Sequence, residues 1–217
     1  MTDWMNKTLL PRQFWTVSSC ICELYPDSWI FSWSVDSGEN YQQILQLDDN
    51  KFKNLQNWAD DVMEKDKFGW PNIFLDITTA REFYNQYLTH LPNIKLLSIG
   101  LADSYVTEFI RENKPGPGMG EGGVYKKLLQ REPVEVNGIS RGFEILGDEL
   151  GGQFHSFVCN SLETVYKKEL NISLNPNGLI ERYEEAIEAT DYTRLDDVGA
   201  EPALWQPWLI SEYALIV

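Results

Sequence analysis

Apolar positions along the chain recur with two different periods, and the switches between them divide it into elements. In QFWTVSSCICELYPDSWIFSWSV (13–35) aromatic and β-branched residues alternate with polar ones on either side of Pro26-Asp27-Ser28, which predicts a hairpin. Phe52, Leu55, Trp58, Ala59, Val62 and Met63 then fall on one face at 100° per residue, an amphipathic helix. Ile73–Ile77 reads as a short strand, and Thr79-Ala80-Arg81-Glu82 as the capping box of a helix ending near His90, a residue read as structural. Ile94–Leu101 is a buried strand, with Asp103 capping the helix that carries Tyr105, Val106, Phe109 and Ile110. Lys114–Gly123 is a glycine- and proline-rich loop, Val124–Gln130 a short helix, and Asn137-Gly138 a turn before Phe143–Leu146.

The last third carries the sharpest patterns. Gly147, Gly151 and Gly152 predict a tight turn, and the spacing of Phe154, Phe157, Val158, Leu162, Val165 and Tyr166 predicts a helix after it. Leu179, Ile180, Tyr183, Ala186 and Ile187 form one arc of a helix over 179–190, opposite Glu181, Glu184, Glu185 and Glu188. EPALWQPWLISEY (201–213) is expected to partner the 141–165 stretch and to lie as an edge strand, since Pro207 cannot donate to a ladder. Together these elements predict an α+β fold, one domain over residues 1–217 with a central mixed or antiparallel sheet flanked by helices.

Composition narrows the class. The 217 residues are 43% hydrophobic and 13% aromatic, enough for a sizeable core. MTDWMNKTLLPR lacks the basic start and apolar run of a signal peptide, and no run of apolar residues is long enough to span a membrane. With three cysteines, an odd number, free thiols in a reducing cytoplasm are expected. Net charge is −15, and residues 141–217 supply −9 of it, from 14 acids against 5 bases. That argues against a nucleic-acid surface, which would be basic, and suits either plain solubility or a basic protein partner.

Candidate chemistry is sparse. On a helix from Phe154, His155, Cys159 and Glu163 would stack in one row, each four residues from the next. An imidazolium beside a thiol lowers its pKa, so Cys159 and His155 could serve a thiol-dependent hydrolase or transferase, with Glu144, Asp148 or Glu149 orienting the histidine. The plain alternative is a packed helix edge. No CxxC, HxH or HExxH pattern occurs, and Cys20 and Cys22 make a poor metal knuckle, so no metal and no cofactor are expected. Residues 118–123 match GxGxxG, but a helix and two prolines precede them where the dinucleotide motif needs a strand.

The densest charge lies at the C-terminal end. Glu181, Glu184, Glu185, Glu188, Asp191, Asp196, Asp197 and Glu201 place eight acids within 21 residues, either a solvated face or a docking surface for a basic partner. Exposed aromatics near the 141–155 turn would add contact area. Through GFEILGDELGGQFHSFVCNSLE (142–163), NPNGLIERYEEAI (175–187) and AEPALWQPWLISEY (200–213), the chain resembles small bacterial immunity proteins of polymorphic-toxin systems. The resemblance implies a cytoplasmic acidic protein without catalysis of its own, which neutralises a toxin domain by binding it.

Overall fold

In chain order the strands are β1 (Glu23–Tyr25), β2 (Phe68–Gly69), β3 (Ile73–Phe74), β4 (Lys95–Leu101), β5 (Ile139–Glu149), β6 (Gln153–Ser156) and β7 (Leu204–Tyr213). The helices are α1 (Asp49–Glu64), α2 (Ile77–Phe83), α3 (Asp103–Glu112), α4 (Gly123–Gln130), α5 (Leu162–Val165) and α6 (Tyr183–Thr193). The computed structural model describes residues 23–25, 42, 45–65, 67–69, 73–91, 94–115, 123–131, 138–149 and 153–215. Most of the 13–35 hairpin with Cys20 and Cys22, most of the glycine loop at 114–123, Asn137 and the Gly151-Gly152 turn lie outside the described residues. Among the described residues, no helix is long and apolar enough to cross a membrane.

The α+β fold is organised on one five-stranded sheet in the order β1-β4-β7-β5-β6, with every neighbouring pair antiparallel. Strand alternation sends successive β4 residues to opposite faces, and both faces are covered, so β4 is buried without interruption from Leu96 to Leu101, Ser98 included. Leu97, Ile99 and Leu101, with Trp208 and Ile210 of β7, pack against Val106 and Phe109 of α3 and Val124 and Leu128 of α4. Leu96 and Tyr213 join a second core with Leu55 and Val62 of α1 and Ala80 and Phe83 of α2. A third core gathers Ile145 and Trp205 with Phe157, Val158, Leu162, Tyr166, Ala186 and Ala189.

The C-terminal stretch does pair with β5, from Ile139↔Glu212 to Asp148↔Leu204, but it is the central strand and not an edge. The proline is tolerated because β4 ends at Leu101, opposite Trp208. Pro207 lies one residue further on, where among the described residues that flank of β7 has no partner strand to receive an N–H.

Four further expectations are corrected. Helix α2 starts at Ile77, capped by Asp76, whose carboxylate accepts from Thr79 N at 2.8 Å and from Thr79 Oγ1 at 2.8 Å. Thr79 is therefore a buried residue of the first turn and not the cap. Asp103 lies inside α3, after an Ala102 cap that makes no side-chain bond. Gly147 is within β5, because the Trp205 indole lies over it and would come 2.8 Å from any Cβ there. The helix expected at 179–190 runs from Tyr183 to Thr193. Ile180 cannot join it, since its N–H and C=O are taken by Phe143 of β5 at 2.9 and 2.6 Å.

Candidate functional site

The 154–166 stretch is not one helix. It is strand β6, a 3-10 turn at Phe157–Asn160, a left-handed Ser161 (φ 55°), then α5 continued by a π-helical turn over Tyr166–Leu170. The apolar spacing that imitates a helix belongs to residues of three local geometries packing into one core. His155, Cys159 and Glu163 therefore do not stack as a helical row. His155 sits in β6 opposite Gly147, and strand parity puts it on the sheet face away from Glu144 and Asp148. Its acid is Glu201: Nδ1 lies 2.5 Å from the carboxylate, with the histidine side chain 12% exposed and the glutamate 46%. The side chains of Cys159 and Glu149 lie outside the described residues. His90, read as structural, places its Nε2–H on the Leu45 carbonyl at 2.7 Å.

Glu201 is the junction of this region. Its N–H donates to Asn160 Oδ1 at 3.1 Å, and its carbonyl accepts from Trp205 Nε1 at 2.9 Å. It thereby fixes the next three residues, Pro202, Ala203 and Leu204, as one wall of an open cleft of about 550 Å³. The opposite wall is the end of α3, with Glu108, Glu112 and Asn113, and Asp148 of β5 completes the lining. Asp148 is 7% exposed.

The cleft is acidic, and its charge is shaped by the arginine that follows α6. Arg194 donates to Glu108 from Nη1 (3.1 Å) and Nη2 (2.7 Å) and to the Trp205 carbonyl from Nε (2.8 Å). Its guanidinium also lies 5.8 Å from the centre of the Tyr105 ring. Burial alone would raise the Glu108 carboxyl, but hydrogen bonds from Arg194 and Gln206 outweigh it and hold the group below the usual carboxylate range. On Tyr105, burial and the nearby Asp191 both raise the phenol. The end of α6 is thus anchored beside the cleft.

Of the acidic segment, Glu181, Glu184, Glu188, Asp191, Asp196 and Asp197 are exposed, and Glu185 is half-buried and paired with Arg182 at 3.2 Å. The helix turns Ala186, Ala189, Thr190 and Thr193 inward, and both threonine hydroxyls are satisfied by carbonyls one turn back. Aromatics of the neighbouring stretches turn inward as well: Trp205 and Trp208 are buried, and the Phe143 ring packs at a tilt on Tyr183, 5.3 Å between centres. The exposed large hydrophobics among the described residues are Leu129, Ile139 and Leu195, and of these Leu195 lies within the acidic segment. Nothing in the sequence pattern connects α3 to this surface. Glu108 and Glu112 carry no signal beyond helical spacing.

A second polar centre is enclosed beneath β6. Glu144 is 2% exposed and accepts a short hydrogen bond from Ser156 Oγ, which in turn accepts from Val158 N at 3.1 Å. Burial first, and the nearby Glu163 as well, push the Glu144 carboxyl up to about 8 against the opposing effect of Ser156. Tyr166, bonded to Thr193, is raised by burial and by Glu144. Among the described residues no group of three or more His, Cys, Asp or Glu gathers to hold a metal ion. No family model, curated protein or solved structure matches the chain.

Proposed function

We propose that this chain is an acidic binding protein that holds a basic protein partner, as an immunity protein holds a toxin domain. The observation that carries this reading is the open cleft walled by Glu108, Glu112 and Asp148, beside a helix that presents Glu184, Glu188 and Asp191 to solvent. Exposed carboxylates steer a basic partner by long-range attraction, and a cleft of this size admits a lysine or arginine side chain. Leu195 supplies apolar area at the end of the acidic helix.

The test is a pull-down from the native host with the intact chain and with a variant carrying E184K, E185K and E188K. A single basic protein recovered in near-equal amount by the first bait and lost from the second supports the reading. Recovery of nothing by the intact chain, or equal recovery by both, overturns it.

The His155–Glu201 pair favours a second reading, a thiol-dependent hydrolase or transferase built on Cys159 and His155. Alkylation of Cys159 followed by peptide mapping decides it. Rapid modification near neutral pH that slows in H155A supports the enzyme, and an inert thiol removes it.

A further inference from the structure

The buried carboxyl of Glu144 takes no part in the proposed docking surface, and its surroundings are unusual for an acid. It lies in β5 on the face shared with Leu146 and Ser156, enclosed to 2% exposure. Ser156 from β6 donates to it, and Glu163 from α5 and Tyr166 from the π-helical turn, the latter bonded to Thr193 of α6, lie near enough to interact with its charge. The charged group among these has the same sign, and Glu163 Oε2 is itself buried with no hydrogen-bond partner among the described residues. An ionised Glu144 would be a buried charge with no cation acting on it among the described residues, a state that folded proteins avoid by keeping the proton.

We infer that Glu144 is a proton-held latch, in which the neutral acid, bonded to Ser156 with Glu163 nearby, closes the junction between β6 and α5, and loss of its proton opens that junction. The mechanical link is continuous. Ser156 Oγ caps the 3-10 turn through Val158 N, the same turn carries Asn160, and Asn160 Oδ1 holds the Glu201 N–H. Residues 202–204, directly after Glu201, wall the acidic cleft. Opening the junction therefore releases one wall of the cleft. Only this last consequence rests on the proposed function, and the latch itself requires no partner.

The pH window follows from linkage. A carboxyl solvated in the open state titrates near its ordinary value of 4.5, whereas in the closed state it holds its proton to about 8. Opening therefore becomes about tenfold more favourable for each pH unit between those limits and levels off above them. The experiment is hydrogen–deuterium exchange of the intact chain from pH 5 to 9, with exchange times scaled for the intrinsic rate. In the native chain, protection over 153–163 should fall about tenfold per pH unit up to pH 8, with α1 unchanged. In E144Q the 153–163 protection should be flat. In E163Q, which keeps the buried acid but removes the like charge, the plateau should arrive at lower pH.

Constant protection in the native chain, an equal fall in E144Q, or a parallel fall in α1 would each overturn the latch. Should E144Q not fold, E163Q decides by itself, and an unshifted plateau counts against the latch. A working latch with no recoverable partner would refute the binding reading and leave the latch standing.

Discussion

Arg194 and Glu108 meet in a two-point contact that ties the end of α6 to α3: Nη1 to Oε1 at 3.1 Å and Nη2 to Oε2 at 2.7 Å. The side chains are 30% and 24% exposed, so solvent screens the pair only in part. One guanidinium thus joins the acidic helix, the cleft wall and, through the Trp205 carbonyl, the central strand.

Removing that clamp should loosen all three. R194A is expected to lower stability by about 1–2 kcal/mol, which for a chain of this size is a fall of roughly 2–8 °C in melting temperature. R194K, which keeps the charge but not the fork, should fall between wild type and R194A. Scanning calorimetry of the three proteins at one salt concentration checks this.

The same pair predicts an acid limb. Because Glu108 is held below its ordinary range in the folded chain, its stabilising effect is fully present above pH 4.5. It is lost as the pH falls through the depressed folded-state value. Denaturant midpoints measured from pH 6 down to pH 3 should drop more steeply for the native chain than for E108Q. Parallel curves would remove Glu108 from the account.

Gly142 is predicted to tolerate no side chain. Its φ is +128°, and a Cβ would lie 2.7 Å from the Ile180 carbonyl oxygen and 2.8 Å from Leu179 Cβ. This glycine adjoins the register shift in β5 and lets the 174–180 segment bond to that strand, with Asn175 Nδ2 on the Arg141 carbonyl at 2.8 Å. G142A should cost roughly 1–3 kcal/mol in a urea melt, whereas alanine at Gly199, whose Cβ would meet nothing within 4 Å, should cost less.

Trp208 is fully buried in the central strand, edge-on to Phe109 of α3 at 6.0 Å. W208A should lower stability by about 3–5 kcal/mol, since the enclosed site collapses only in part around the lost ring. A urea midpoint that moves by less than a third of that would mean the central strand repacks freely.

Charge reversal at Glu184, Glu185 and Glu188 separates docking from solubility. With a basic partner in hand, association should slow markedly in the triple variant and the native rate should fall with added salt. Dissociation should change less, because these side chains give reach more than buried contact. An unchanged association rate would show that this face does not steer.

Much of the fold is legible from periodicity alone. Leu55, Ala59 and Val62 mark the buried face of α1, and the density of apolar residues over Ile94–Leu101 announces a buried strand. The abundance of acids at 181–201 likewise foretells an exposed surface, because carboxylates in number cannot be buried unpaired. These are local properties: which side chains seek water is a matter of their own chemistry and spacing.

What the sequence left open depends on partners distant in the chain. Pro207 argues for an edge strand, yet the end of β4 at Leu101 leaves a flank inside the sheet unpaired among the described residues. Phe154–Tyr166 has helical spacing, but pairing of β6 with β5 and the left-handed Ser161 break it into a strand, a 3-10 turn and a separate helical segment. Ile180 fits a helix by pattern and is withheld from it by two backbone bonds to Phe143. Residues 46 apart make His155 and Glu201 neighbours, and residues 86 apart make Glu108 and Arg194 a clamp. Residue type and spacing thus determined the elements, the acidity and the apolar faces. Only the folded backbone, by satisfying each N–H and C=O across long separations, decided which of those residues share a site.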